Sequence, residues 1–271
     1  MSDRAGGQRP KNLRAAGPRT TRPGGHAVAP VLSVCGLLLV WAVAALLTQD
    51  PTVLPAPWSL IGPLRAQLAS GELMYHLGAT LFRVGWAFVL AMGAGGALGL
   101  AMGRSAALNR WLDPWLVIFL NLPALVLIVL CYMWIGLTET AAIIAVTLNK
   151  IPSVATVIRE GARALRPDLD AMAMVYRMPW RTRMRHVILP QLLPYVAAAA
   201  RSGIAVIWKI VLVVEFLGRS SGVGFQIHLY FQLFDVSMVL VYALSFIAVM
   251  LSVEWLILQP WERRARRWRQ A

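Results

Sequence analysis

The chain has 271 residues, of which 58% are hydrophobic and only 14% are charged, and its mean hydropathy is +0.63. A soluble globular domain carries roughly 25% charged residues, so this composition predicts a membrane protein. It also excludes disorder for most of the chain, because disordered segments are poor in apolar residues. The net charge of +14 would suggest nucleic-acid binding in a soluble protein, but the basic residues lie between long apolar runs and indicate membrane topology instead.

Six apolar runs are long enough to cross a bilayer, for which a helix needs about 20 residues. They cover residues 28–47, 76–102, 112–135, 139–158, 195–217 and 236–258. In the second run Gly93, Gly95, Gly96 and Gly99 predict close helix packing, and Pro123 predicts a kink in the third. The sequence therefore predicts an all-α polytopic membrane protein with six transmembrane helices.

The distribution of basic residues predicts that both termini are cytoplasmic. Of the 26 lysines and arginines, 20 fall on one side: six in the tail 1–27, two in the loop 103–110, seven in the loop 159–186 and five in the tail 259–271. The opposite loops carry only Arg65 and Arg219, and Arg83 is expected to anchor the outer end of the second run. A signal peptide over the first run is the alternative, but such peptides have a shorter apolar region of roughly 7–15 residues.

The segments between the runs complete the predicted organisation. The tail before the first run is expected to be disordered. Residues 48–75 are expected on the outer side, where one stretch suggests an amphipathic helix or a short cap over the bundle. That stretch has apolar side chains at helical spacing, namely Trp58, Ile61, Leu64 and Leu68. Residues 76–258 form the predicted five-helix core.

The longest predicted cytoplasmic loop, residues 159–194, is the strongest functional candidate. Its arginines alternate with Met178, Trp180 and Met184, and this composition is enriched at protein–protein interfaces. Pro190 and Pro194 are expected to prevent one helix from running out of the loop into the membrane. A short helix between two rigid connections would transmit a push from a cytoplasmic partner. The alternative is an arginine-rich loop that only sets orientation.

This loop resembles the cytoplasmic loop of ABC-type importer permeases, whose pattern is E-A-A-x3-G-x9-I-x-L-P. Alignment on Leu189-Pro190 places Val187 at the Ile, Arg177 at the Gly and Ala171-Met172-Ala173 at E-A-A. The last Ala is kept, whereas the Glu is replaced by Ala, with Asp170 one residue earlier. The resemblance assigns coupling to an ATPase to Ala171, Ala173, Arg177, Met178, Pro179, Trp180, Arg181, Leu189 and Pro190.

Further stretches, in order, are similar to the nitrate/sulfonate/taurine branch of that family, and the resemblance covers residues 55–268. They are Pro55-Ala56-Pro57, His76 to Val84, Gly99 to Ser105, Leu112-Asp113-Pro114, Leu122-Pro123-Ala124, Trp134 to Leu137, and Glu215 to Gly224. The resemblance implies a type I ABC importer permease in the bacterial inner membrane. It also implies a permease homodimer, cytoplasmic ABC ATPase subunits and an extracytoplasmic solute-binding protein that delivers a small anion.

The sequence contains no GxxxxGK[ST] phosphate loop, the motif that cradles nucleotide phosphates. ATP hydrolysis is therefore assigned to a separate subunit, and this chain is expected to be neither an enzyme nor a cofactor protein. Its two cysteines and four scattered histidines form no metal-ligand pattern. A membrane-embedded enzyme would need convergent acid–base or metal groups. A gradient-driven secondary transporter, the main alternative, should carry inverted repeats.

Ionisable groups inside a span are costly and are functional candidates. Lys150 lies 11 residues into the fourth run, about 17 Å deep at 1.5 Å per residue. With its neighbour Asn149, and with Lys209 and Glu215 of the fifth run, it is predicted to line a translocation pathway for an anionic solute. The alternatives for Lys150 are an ion pair with Glu215 or snorkelling to the interface.

Overall fold

We describe a computed structural model of the chain, in which residues 28–258 and Pro260 are placed. This part is helical and contains no β-strand, which confirms the all-α class. The α-helices are α1 (Val28–Thr48), α2 (Ile61–Ala69), α3 (Glu72–Arg104), α4 (Ala106–Asn121), α5 (Ala124–Ile135), α6 (Glu139–Arg163), α7 (Pro167–Val175), α8 (Trp180–Arg183), α9 (Leu189–Gly218), α10 (Val223–Gln232) and α11 (Val236–Val253). Apart from Pro260, the two predicted basic tails lie outside the described residues.

Four helices of the described part are long and apolar enough to cross a membrane. They are Glu72–Arg104, Glu139–Arg163, Trp180–Gly218 and Val236–Leu256, and the bent pair α4 and α5 would make a fifth span. The first predicted span lies in α1, whose apolar part Leu32–Thr48 is shorter than these four. The structure thus supports four or five of the six predicted spans.

The third predicted span is two helices rather than one. The axes of α4 and α5 are bent by 98°, and the break falls at Leu122 and Pro123, both of which have extended backbone angles. Proline disfavours a helical conformation in the residue before it, so the position of the predicted kink is confirmed. A single helix over residues 112–135 was wrong. Helix α4 also begins earlier, where the Ser105 hydroxyl accepts a hydrogen bond from Leu108 N–H at 3.2 Å.

Helices α3 and α6 pack closely against each other along a row of glycines. Gly95, Gly99 and Gly103 are spaced four residues apart and therefore share one face of α3. A Cβ atom at Gly99 would lie only 2.3 Å from the carbonyl oxygen of Ala155 on α6. The predicted close packing is confirmed for Gly95 and Gly99, whereas the sites of the other two predicted glycines, 93 and 96, face open space.

The main core lies where α9 joins the α3–α6 pair. Ile207, Val211 and Val214 of α9 are completely buried there. The segment before α3 forms a cap at one end of this core, where Leu64 packs against it and the Tyr242 hydroxyl donates a hydrogen bond to Gln67 Oε1 at 2.8 Å. This cap and α7 thus lie at opposite ends of the long helices.

Candidate coupling element and membrane-embedded charges

Helix α7 stands between the ends of two long helices, α6 and the helix that begins at Trp180. It starts with Pro167 and carries Asp168 and Asp170 in its first turn, which suits the helix start and its dipole. Ala173 is buried against the body of the protein, while Ala171, Arg177, Pro179, Trp180 and Arg181 are exposed. Apolar side chains are exposed beside them at Met174, Val175, Tyr176 and Trp180. An exposed apolar and aromatic patch of this kind is typical of a protein-contact surface.

Arg177 ends α7 in a left-handed conformation, with φ of +47°. Its N–H donates to Met174 O at 3.0 Å, and Met178 N–H donates to Ala173 O at 2.9 Å. These two bonds form the Schellman motif, in which the left-handed position is usually glycine. The alignment placed Arg177 at the glycine of the family pattern, and the backbone angle gives the physical reason for that glycine.

Asp170 ties α7 to two other helices. Its carboxylate accepts hydrogen bonds from Arg104 Nη1 at 2.5 Å and from Arg183 Nε at 3.3 Å. Burial favours a raised pKa for Asp170, but the two arginines outweigh it and hold the pKa below its usual value. The carboxylate of Asp170 thereby links the end of α3 to the end of α8. In the sequence this residue stands next to the position of the missing Glu of the pattern.

The helix after α7 runs without a break from Trp180 to Gly218, so the prediction that the prolines would interrupt it was wrong. A π-helical turn over Met184–Ile188 provides the reason, because it inserts one extra residue and Leu189 N–H donates to Met184 O five residues back. Exposed Leu189 and Pro190 then begin α9, where a missing proline N–H is tolerated. Gln191 braces this junction: its Nε2 donates to Val187 O at 2.8 Å and its Oε1 accepts from Arg166 N–H at 3.0 Å.

Glu215, near the far end of this helix, is fully buried and has three hydrogen-bond donors. They are Arg83 Nη1 at 2.6 Å, Thr80 Oγ1 at 2.9 Å and Gly224 N–H at 2.9 Å. Arg83 is 2% exposed and also binds Glu139 through Nε at 2.6 Å. Its predicted role as an interface anchor was therefore wrong, because its guanidinium faces two carboxylates inside the bundle.

The turn between α9 and α10 closes over this ion cluster. Gly222 has φ of +111°, and a Cβ atom there would lie 2.3 Å from Cδ of Glu215. Gly222 N–H donates to His76 Nδ1 at 3.0 Å, and Arg219 Nη2 reaches Glu139 at 2.6 Å. Sequence reasoning missed the parts played by Arg83 and Glu139. The sequence does place Arg83, Glu139 and Glu215 near the same end of different predicted spans. That placement alone does not show which of these charges form ion pairs.

The predicted pathway residues do not form one site. Lys150 is 4% exposed, and its Nζ donates to Ser153 Oγ at 3.1 Å, while its Cε faces Gly203 of α9. Lys150 and Glu215 form no ion pair, because the Glu215 carboxylate is bound to Arg83. Asn149 is half-buried and Lys209 is exposed on α9. Within the described ranges, no group of His, Cys, Asp or Glu side chains could hold a metal ion.

The family and the relatives that this chain matches are all membrane components of transport systems. Residues 88–259 match the family described as binding-protein-dependent transport system inner membrane component. The aliphatic sulfonates transport permease protein SsuC of Bacillus subtilis is 30% identical over 192 residues, which are 70% of each chain. The taurine transport system permease protein TauC of Escherichia coli is 27% identical and covers 86% of each chain. The bicarbonate transport system permease protein CmpB of Synechococcus elongatus is 26% identical over 73% of this chain and 75% of its own.

Solved structures agree on the fold. An amino acid ABC transporter superposes with a TM-score of 0.60 at 22% identity, over 74% of this chain and 97% of the other. The inward-facing MetNI methionine ABC transporter gives 0.56 at 19% identity, over 76% and 98%. The chain therefore shares the fold of membrane chains from two ABC transporters.

Proposed function

We propose that this chain is the membrane-spanning subunit of an ATP-driven importer of small anions. It belongs to the family of binding-protein-dependent transport system inner membrane components. The relatives named for sulfonates, taurine and bicarbonate support this class of cargo. A solute-binding protein delivers the cargo on the outer side of a bacterial inner membrane. A separate cytoplasmic ABC ATPase supplies the energy, because this chain lacks a phosphate loop of its own.

The observation that carries the proposal is the exposed α7 element joined to one uninterrupted helix. The helix Trp180–Gly218 has 39 residues and is about 58 Å long at 1.5 Å per residue, which exceeds the thickness of a bilayer core. Its inner end begins beside the Schellman turn of α7, and its outer end carries Glu215. Movement of an ATPase against α7 would therefore act on one rigid lever that reaches the buried ion cluster at the outer end.

Lys150 and Lys209 have different roles in this proposal. Lys150 is held between α6 and α9 and donates a hydrogen bond to the neutral Ser153 hydroxyl, which leaves its charge available to a passing anion. Lys209 is exposed and lies nine residues before the end of the helix, about 14 Å below it. A lysine that faces lipid at this depth is costly, so a second copy of the permease covers this face. Glu215 acts as the structural anchor of the outer turn rather than as a pathway residue.

Co-purification of the tagged full chain from its own cells, followed by mass spectrometry, tests the partnership. An ABC ATPase should be recovered with the unmodified chain and lost with Tyr176→Asp, because Tyr176 is 73% exposed on the α7 surface. Phe234→Asp is the matched control, since Phe234 is also an exposed aromatic residue, at 84%, but lies in the turn between α10 and α11. Recovery of no ATPase, together with uptake in ATP-free vesicles, would contradict the proposal and favour a gradient-driven carrier.

Uptake by reconstituted transporter tests the pathway. Lys150→Met should abolish uptake of a sulfonate, taurine or bicarbonate, whereas Lys150→Arg should retain part of it, because the charge is kept. Both variants should still co-purify with the ATPase. Equal uptake by Lys150→Met and the unmodified chain would remove Lys150 from the pathway without affecting the assignment of α7.

A further inference from the structure

A basic cavity lies at the corner where α3, α4 and α6 meet, next to α7 but outside the elements discussed so far. Its volume is about 610 Å³, and its lining includes Arg104, Arg110, Arg163, Asn109 and Asp113. This volume falls within the range of small-molecule sites, roughly 300–1,000 Å³. The first residue of α4 also lines it, so the positive end of that helix dipole adds to the field of the arginines.

The acidic residues around the corner do not balance its arginines. Asp170 is shared by Arg104 and Arg183, and Glu160 is shared by Arg159 and Arg163. The third carboxylate, Asp113, also pairs with Arg159. Arg110 has no ion pair within the part of the chain that the structure describes. The cavity lining itself holds three arginines, Arg104, Arg110 and Arg163, and one carboxylate, Asp113. The excess of two positive charges suits an anion with accessible oxygen atoms.

A separate apolar groove lies along the same three helices. It has a volume of about 160 Å³ and is lined by Leu98, Leu112, Trp115, Leu116, Phe119, Leu148, Ile151 and Pro152. Ile151 lies 12 residues before Arg163 on α6, about 18 Å deeper at 1.5 Å per residue. This distance is close to half of a hydrocarbon core of about 30 Å. The corner thus presents a cationic head site and an apolar channel at the spacing of a phospholipid headgroup and its acyl chain.

Tryptophans mark the depth of the cavity relative to the bilayer. Trp111 follows Arg110 directly and is 79% exposed, and Trp115 lies one turn further along α4 and is 59% exposed. Tryptophan is enriched at the membrane–water interface, so the cavity lies at headgroup level. Basic pockets between membrane helices at this level suit anionic lipid headgroups.

We propose that this corner binds an anionic phospholipid, with its phosphate at Arg110 and Arg163 and one acyl chain in the groove. Because Arg104 lines the cavity and also binds Asp170 of α7, a bound lipid would hold α7 against α3. The proposal concerns binding alone and does not depend on the identity of the cargo or of the ATPase.

Thermal unfolding of the full-length protein in a neutral detergent tests the proposal with three probes. These are phosphatidylglycerol, phosphatidylcholine and inorganic phosphate, each titrated to saturation. Phosphatidylglycerol should raise the melting temperature at low concentration and the other two should not. Arg110→Gln and Arg163→Gln should each weaken this effect about tenfold or more, since each removes a charge-assisted hydrogen bond. Arg65→Gln, an exposed arginine on α2, should leave it unchanged.

A second variant separates the lipid from free phosphate. Leu148→Trp places a larger side chain in the groove and should weaken phosphatidylglycerol binding while leaving both arginines intact. Equal stabilisation by inorganic phosphate and phosphatidylglycerol would overturn the lipid assignment and leave a phosphate site. Equal stabilisation by phosphatidylcholine, or no effect of Arg110→Gln and Arg163→Gln, would overturn the site itself.

Discussion

The substitution Gly99→Ala probes the contact between α3 and α6, which holds the centre of the bundle. The added Cβ atom would lie 2.3 Å from the Ala155 carbonyl oxygen, whereas ordinary contact begins at 3.4 Å. The helices would therefore have to separate by about 1 Å at their closest point. Overpacking of this kind costs about 1–3 kcal/mol. The obstruction is backbone, so no smaller side chain on α6 can relieve it.

Gly96→Ala is the matched control, because a Cβ atom there meets nothing within 4 Å. Both substitutions gain the helix propensity of alanine over glycine, about 1 kcal/mol, so the difference between them isolates the steric term. At about 2–4 °C for each kcal/mol in a chain of this size, a cost of about 1–3 kcal/mol should make Gly99→Ala melt roughly 2–12 °C below Gly96→Ala. The assay is thermal unfolding in detergent, followed by intrinsic tryptophan fluorescence. Equal melting temperatures for the two variants would refute the backbone contact between α3 and α6.

Three further predictions follow from single side chains. Glu215→Gln leaves the buried Arg83 without one of its two carboxylates and should lower the free energy of unfolding by about 3–5 kcal/mol; an unchanged melting temperature would contradict the ion cluster. Arg177→Gly should raise stability by about 1 kcal/mol, since a non-glycine residue in the left-handed region is strained; a lower melting temperature would argue against the Schellman turn. Asp170→Asn should destabilise the protein above pH 3.8, the usual pKa of an aspartate. The difference in stability between the two proteins should vanish as the pH falls further, because the pKa of Asp170 is lowered in the folded state. A difference that persists in acid would show that the ion pairs are not its cause.

Local sequence patterns predicted several structural features of this protein. Apolar runs located the long helices, because crossing a bilayer requires about 20 apolar residues whatever they pack against. The position of the bend at Pro123 followed from the chemistry of proline, and the close approach at Gly95 and Gly99 followed from their missing side chains. The loop pattern placed Arg177 at a glycine position, and that glycine reflects a backbone angle that the structure then revealed.

The π-helical turn marks one limit of such reasoning. Pro190 and Pro194 predicted a break, but the chain passes through a π-helical turn at Met184–Ile188 and then past both prolines as one helix. No residue type in that stretch demands a π-helix. Its presence depends on how α9 packs and on the bonds of Gln191 across the junction.

By itself, the sequence determined the class of the protein and the approximate positions of its helices, and it singled out the loop proposed to contact a partner, since each depends on neighbouring residues or on composition. Only the tertiary structure decided which charges meet. Arg83 and Glu215 are 132 residues apart, and whether Glu215 binds Arg83 or Lys150 depends on the rotation and register of three helices. The same packing leaves Lys150 with a serine hydroxyl and gathers the arginines of the α3–α4–α6 corner into a single cavity.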